Sequence, residues 1–125
     1  MFWQTKSRGV RGAITVENNT YEEIEEATIE LLTTILDEND FDIDDISHVI
    51  FTLTHDLNAC FPAKAARIHL GWNDVPMICT QEIPVPGSVE KCIRVLIVIN
   101  TKLKKSDIKH VYLGKAKLLR PDLSN

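Results

Sequence analysis

Arginine is the residue type in this chain whose placement calls for a chemical explanation. Four of the five arginines, Arg11, Arg67, Arg94 and Arg120, fall on separate segments of a sequence whose formal net charge is -4. A guanidinium presents its N–H donors as a planar fork that matches a carboxylate bidentately. Arginines converging from several segments therefore suit a small anion with more than one carboxylate. Arg94 interrupts Ile93-Arg94-Val95-Leu96-Ile97-Val98-Ile99, a run whose other side chains favour burial. A guanidinium buried there costs several kcal/mol unless an anion meets it. Two readings are open: a structural ion pair, with Glu82 as the partner, or an arginine aimed into a cleft at an anionic substrate. In Arg8-Gly9-Val10-Arg11-Gly12 the glycines weaken a strand and signal close approach by a ligand or another backbone. An edge strand with solvated arginines is the plainer reading. Lys64 and Arg67 share one helix face beside Phe61-Pro62, which exposure to solvent also explains.

Other chemistries find no support in the spacing. The histidines, His48, His55, His69 and His110, form no HxH, HxxxH or HExxH pattern, so no metal is expected. Cys60, Cys79 and Cys92 fit neither a disulfide framework nor a zinc ribbon and read as reduced thiols. There is no GxGxxG, Walker A lysine or GxSxG motif, which leaves nucleotide cofactors and serine hydrolase chemistry unsupported. The acidic run from Asp37 to Asp45 lacks the central glycine and closing glutamate of a calcium loop. Nucleic acid would favour a net basic chain with lysine stripes and stacked aromatics. The longest aliphatic run, Val95 to Ile99, is far short of the roughly 20 residues of a membrane span. Met1-Phe2-Trp3-Gln4-Thr5-Lys6 lacks the apolar stretch of a signal peptide. The expectation is a cytoplasmic protein with neither a membrane nor a nucleic-acid partner.

The elements that must hold the arginines are legible from periodicity. Residues 9–16 alternate, with Val10, Gly12, Ile14 and Val16 on one side and Arg11, Ala13 and Thr15 on the other, as a half-buried strand does. Thr20-Tyr21-Glu22-Glu23 reads as a capping box. It opens a helix over about residues 21–38, whose apolar stripe is Ile24, Ala27, Leu31, Leu32, Ile35 and Leu36. His48–Thr54 is a second strand. Pro62 and Gly71 bracket a short helix over Ala63–Leu70. Residues 75–82 read as a third strand, Pro84 and Pro86-Gly87 as a turn region, and Ile93–Thr101 as a strand apolar on both faces. A turn and a short strand fall within Val111–Leu119. This order, β-α-β-α-β-β-β, predicts an α+β fold, an α/β sandwich in which a mixed sheet carries two helices.

With 125 residues, 44% of them hydrophobic and 26% charged, the chain has the composition of an ordinary globular protein and room for a single domain, 1–125. Its charge is segregated: thirteen of eighteen acidic residues lie between Glu17 and Asp56, and no Lys or Arg occurs between Gly12 and Ala63. The acidic stretch reads as a solubilising outer face. The basic remainder, with Arg11, is where a dianion would bind.

Four separated motifs carry a resemblance. They are Arg8–Glu17, Asp56–Arg67 with its Phe61-Pro62-Ala63-Lys64, Lys91-Cys92-Ile93-Arg94-Val95, and His110–Leu113 continued by Leu119-Arg120-Pro121-Asp122-Leu123. In this order, over about residues 8–123, they resemble the monofunctional chorismate mutases of the AroH type. The resemblance implies a homotrimer, a pseudo-barrel of the bacillus chorismate mutase-like type, with active sites between neighbouring subunits. It implies the Claisen rearrangement of chorismate to prephenate, on the route to phenylalanine and tyrosine, without a cofactor. Arg94 and Arg11 match the arginines that reach the ether oxygen and a carboxylate, and Tyr112 a tyrosine near a carboxylate. Glu82 and Cys79 match the pair that meets the ring hydroxyl, with Cys79 acting through thiol or main chain, or serving only as a core thiol. Phe61, Ala63, Lys64 and Arg67 match the pocket wall and entrance, and Leu119 and Arg120 the closing C-terminal segment. Ile78 departs from the family's usual threonine. A YjgF-like imine deaminase or a non-catalytic carboxylate-binding trimer of related architecture is the alternative.

Overall fold

The computed structural model describes residues 4–122; the first residues of the N-terminal segment, Leu123 of the last motif and the final residues of the chain lie outside the described residues. Strand β1 (Lys6–Thr15) runs into helix α1 (Tyr21–Glu38), followed by β2 (Ile46–Leu53), α2 (Pro62–Leu70), β3 (Met77–Gln81), β4 (Cys92–Thr101) and β5 (Val111–Leu113). A 3₁₀ turn, Gly114–Leu118, closes the described chain. The local reasons are those the sequence carries. The Thr20 hydroxyl accepts from the Glu23 amide at 3.2 Å and caps α1. The Glu23 carboxylate, expected to close the box on the cap residue, instead accepts from the Asn18 amide at 3.0 Å. Pro62 is the first residue of α2, and Gly71 ends it with φ 73°, the left-handed conformation glycine adopts without strain.

The five strands lie in the order β3-β2-β4-β1-β5. Strand β4 is antiparallel to both β1 and β2, while β3 and β5 join the edges in parallel. Helices α1 and α2 pack on one face of this mixed α+β sheet. Ile24, Leu31, Leu32 and Ile35 of α1 meet Val10, Ile14, Phe51, Val95, Ile97 and Ile99 of the sheet in one buried cluster with Trp72. The apolar stripe of α1 thus faces inward, and Glu22, Glu26, Glu30, Asp37 and Glu38 are exposed.

Two expectations change here. Strand β4 was expected to be covered on both faces, but its burial alternates: Ile93, Val95, Ile97 and Ile99 face the helices while Arg94, Leu96 and Asn100 are exposed. Arg94 is therefore not a buried guanidinium within one chain. Gly12 does mark a close approach, but of helix α1: a Cβ there would stand 2.7 Å from Ile35 Cδ1 and 3.1 Å from Leu31 Cδ1.

Candidate active site

Strand register assembles the site. Across the sheet Thr80, Thr52, Arg94, Ala13 and Tyr112 fall in one row, from β3 through β2, β4 and β1 to β5. Directly paired residues project from the same face of a sheet, and this is the face without helices. Arg11, paired with Leu96, lies one row away on the same face. Ala13 places only a methyl group between Arg94 and Tyr112. The result is a cavity of about 300 Å³ that Arg11, Arg94, Glu82, Thr52 and Tyr112 share.

Glu82 lies on this face by strand alternation, two residues beyond Thr80 and four beyond Ile78. Its amide donates to Leu53 O at 2.8 Å just past Gln81. One carboxylate oxygen, Oε2, accepts the Thr52 hydroxyl at 2.6 Å and lies 3.4 Å from Arg94 Nη1. Arg94 thus pairs with Glu82 and also lines the cleft. Its side chain remains 46% exposed, so the guanidinium retains donors for a further anion.

Cys79 is differently placed. It pairs with Phe51 and packs against the helix-side core, so its thiol points away from Arg94. Burial pushes that thiol up, opposed by a hydrogen bond from the Ala63 backbone. Its main chain is another matter. Pro76 O and Glu82 N both bond to β2, and backbone polar groups alternate sides along a strand. The N–H and C=O of Cys79 therefore point outward from the free edge of β3. Cys79 and Phe61 together line a second cavity of about 520 Å³, beside Leu53–Phe61. Phe61 is 68% exposed at the start of α2.

The remaining residues divide. Ala63 is half-buried and Arg67 exposed on α2, and Lys64 Nζ stands 5.3 Å from the centre of the Tyr21 ring. Within one chain these three do not line the Arg94 cavity. Leu119 packs with Ala13, Cys92, Tyr112 and Ala116 on the Arg94 face. Arg120 grips Asp122 through two bonds, Nε at 3.0 Å and Nη2 at 2.8 Å. Ile78, at the departure from the family pattern, is 61% exposed on the open face.

Two residues were not foreseen. Thr52 donates to Glu82, and His110 Nδ1 accepts from the Arg11 amide at 2.9 Å. His110 opens the last of the four motifs, and only register reveals its partner.

The protein is thus a mixed α+β sheet with two helices on one face and an arginine–carboxylate cluster on the other. The chorismate mutase type I family profile matches residues 7–123. Two relatives named chorismate mutase AroH, from Bacillus subtilis and Thermus thermophilus, are each 48% identical, over 117 and 119 residues. Each alignment covers 94% of this chain, and 92% and 97% of the relatives respectively. A solved chorismate mutase from Clostridium thermocellum superposes with a TM-score of 0.86 at 50% identity, covering 89% of this chain and 98% of that one. The chain belongs to the type I chorismate mutase family. Its activity is that of a chorismate mutase, an isomerase whose substrate is chorismate.

Proposed function

We propose that the cavity shared by Arg11, Arg94, Glu82 and Tyr112 is one half of the active site, and that the second half is supplied by a neighbouring copy in a homotrimer. The rearrangement breaks the ether C–O bond as a C–C bond forms, with no proton transfer and no cofactor. Negative charge develops on the ether oxygen. Arg94 donates to that oxygen and stabilises the transition state more than the ground state. Arg11 and Tyr112 hold the carboxylates and so keep the flexible substrate in the compact conformer that reacts. Glu82 accepts from the ring hydroxyl, and Cys79 meets the same hydroxyl through its outward main chain. Phe61, Ala63, Lys64 and Arg67 form the wall and entrance, and Leu119 and Arg120 belong to the segment that closes over the site where prephenate forms.

The observation that carries this reading is the shared Glu82 oxygen, 2.6 Å from Thr52 and 3.4 Å from Arg94, beside an arginine and a tyrosine from two further strands. The trimer is supported by the bare face itself, where Leu96 and Ile78 are exposed and Ile50 is half-buried. No described helix is long and apolar enough to cross a membrane, and we place this single-domain enzyme in the cytoplasm. Purified protein should consume chorismate, read as loss of its absorbance. A folded trimer without rate above buffer would overturn the reading.

A further inference from the structure

The residue that fixes Arg11 lies outside the substrate cavity. We propose that His110 is a positioning residue, whose neutral ring accepts the Arg11 amide through Nδ1 and thereby sets the reach of the Arg11 guanidinium. The inference rests on the reading of Arg11 as a substrate-binding arginine.

The geometry is built for one orientation of the ring. The ladder between β1 and β5 begins at Gly12 and Val111. One residue earlier, the imidazole supplies the acceptor for β1, at 2.9 Å from the Arg11 nitrogen. The backbone that carries the ring is held on its other side by Asn39, at the end of α1. Asn39 Nδ2 donates to Lys109 O and Asn39 Oδ1 accepts from Lys109 N, each at 2.8 Å. The same Nδ2 donates to Ile35 O at 2.9 Å. His110 is thus fixed by a clamp before it and a ladder after it.

An amide N–H can bond only an unprotonated Nδ1, so the proton of the neutral ring sits on Nε2. Protonation would set N–H against N–H and break the contact. The charges of Arg11 on β1 and Arg120 in the C-terminal segment act on the ring, and a cavity of about 600 Å³ beside it brings Glu38, Lys109, Lys117, Tyr112 and Asp122 near. Burial, then Arg11 and Arg120, hold the imidazole below its ordinary value of 6.5. The ring is therefore neutral at neutral pH, and the Arg11 contact is lost as pH falls through the lowered value.

The test combines pH profiles with amide NMR on the intact enzyme. Wild type should show an acid limb in kcat/KM, with the ¹⁵N-labelled Arg11 amide shifting in the same range. In His110→Asn the side-chain oxygen replaces Nδ1 and cannot titrate. This variant should keep kcat/KM near neutral pH within about threefold and lose the limb, whereas His110→Leu, with no acceptor, should fall about tenfold at all pH. A wild-type limb in His110→Asn, or wild-type kcat/KM in folded His110→Leu, would overturn the proposal. If His110→Leu does not fold, the His110→Asn profile and the amide titration decide. Arg11→Ala separates the two readings: normal turnover there defeats the role of Arg11 and this proposal with it, while loss there beside normal His110 variants defeats the positioning role alone.

Discussion

Arg94 stands on the bare face of β4, where Glu82 supplies an anion at 3.4 Å and the arginine side chain stays 46% exposed. Its residue type among aliphatic neighbours singles Arg94 out in the sequence, but the burial those neighbours suggest is not found, because one face of β4 is open. Arg94→Lys keeps the charge and loses the planar fork. Removing a donor to a developing oxyanion costs about 10²–10³ in rate. The expected outcome is a fall of that size in kcat with an unchanged circular dichroism spectrum, and near-normal turnover would mean that another group meets the ether oxygen. Thr52 was invisible by contrast, because its role depends on pairing with Arg94 across two strands and no local pattern encodes it. Its hydroxyl holds Glu82 at 2.6 Å. A hydrogen bond to a charged group contributes about 1.5–3 kcal/mol, so the isosteric Thr52→Val should lower kcat/KM by roughly tenfold or more. Steady-state kinetics on the folded variant would measure it, and wild-type values would show that Arg94 alone orients Glu82.

Helix and strand boundaries followed from signals that act over a few residues: alternation in β1, the Thr20 cap, Pro62 and Gly71 around α2. What crosses between elements was harder to read. Gly12 was expected to admit a ligand or a backbone, yet it admits Ile35 and Leu31 of α1. Those side chains are fully buried and have little room to yield. Gly12→Ala should therefore destabilise by about 1–3 kcal/mol, the usual cost of overpacking, measured by urea unfolding. Ile35→Val in the same chain should recover part of the loss; a Gly12→Ala protein as stable as wild type would show that α1 can shift. Asp56 ties the segment after β2 to the start of β4. Its carboxylate accepts the Lys91 amide at 3.0 and 3.2 Å, and the Thr54 hydroxyl. Lys91 stands at φ 47°, where a side chain strains the backbone, so its anchor has a conformation to hold. Burial opposes ionisation of Asp56, but hydrogen bonds from Thr54 and Lys91 outweigh it and hold the carboxyl below its usual range. A depressed carboxyl contributes stability that is complete above the unfolded value, about 4, and is lost as pH falls through the folded value. Acid unfolding of Asp56→Asn should show a shallower loss below that point than wild type. Identical curves would remove Asp56 from the acid response.

At the scale of the molecule, the doubly apolar pattern of β4 proved more informative than its misreading suggested. One face is covered by α1 and α2; the other carries Leu96 and half-buried Val98 beside Gly9 of β1, with Ile50 and exposed Ile78 on β2 and β3. Apolar side chains concentrated on a sheet face that the chain itself leaves bare support the proposed interface with another copy. The charge segregation agrees with this geometry, because the exposed acids of α1 lie on the opposite side of the sheet from Arg11 and Arg94. Composition could not state the number of copies, since it records neither faces nor symmetry. Leu96→Glu should yield monomers in light scattering and lose activity, whereas a trimer of normal mass would place the interface elsewhere. A stronger consequence concerns the division of the site. Arg11, Arg94, Glu82 and Tyr112 share the bare face, while Phe61 and Arg67 stand apart from it in the same chain. If each active site joins the first set of one subunit to the second set of its neighbour, two impaired variants can repair one another. Arg94→Ala destroys the first half, and Phe61→Ala with Arg67→Ala weakens the second. Unfolded together and refolded as equal mixtures, they form trimers in which about one quarter of the sites unite two intact halves. Activity should return to roughly that fraction of wild type only after co-refolding, and not when the folded variants are simply combined. A co-refolded mixture no more active than its separate components would place every catalytic group within one chain.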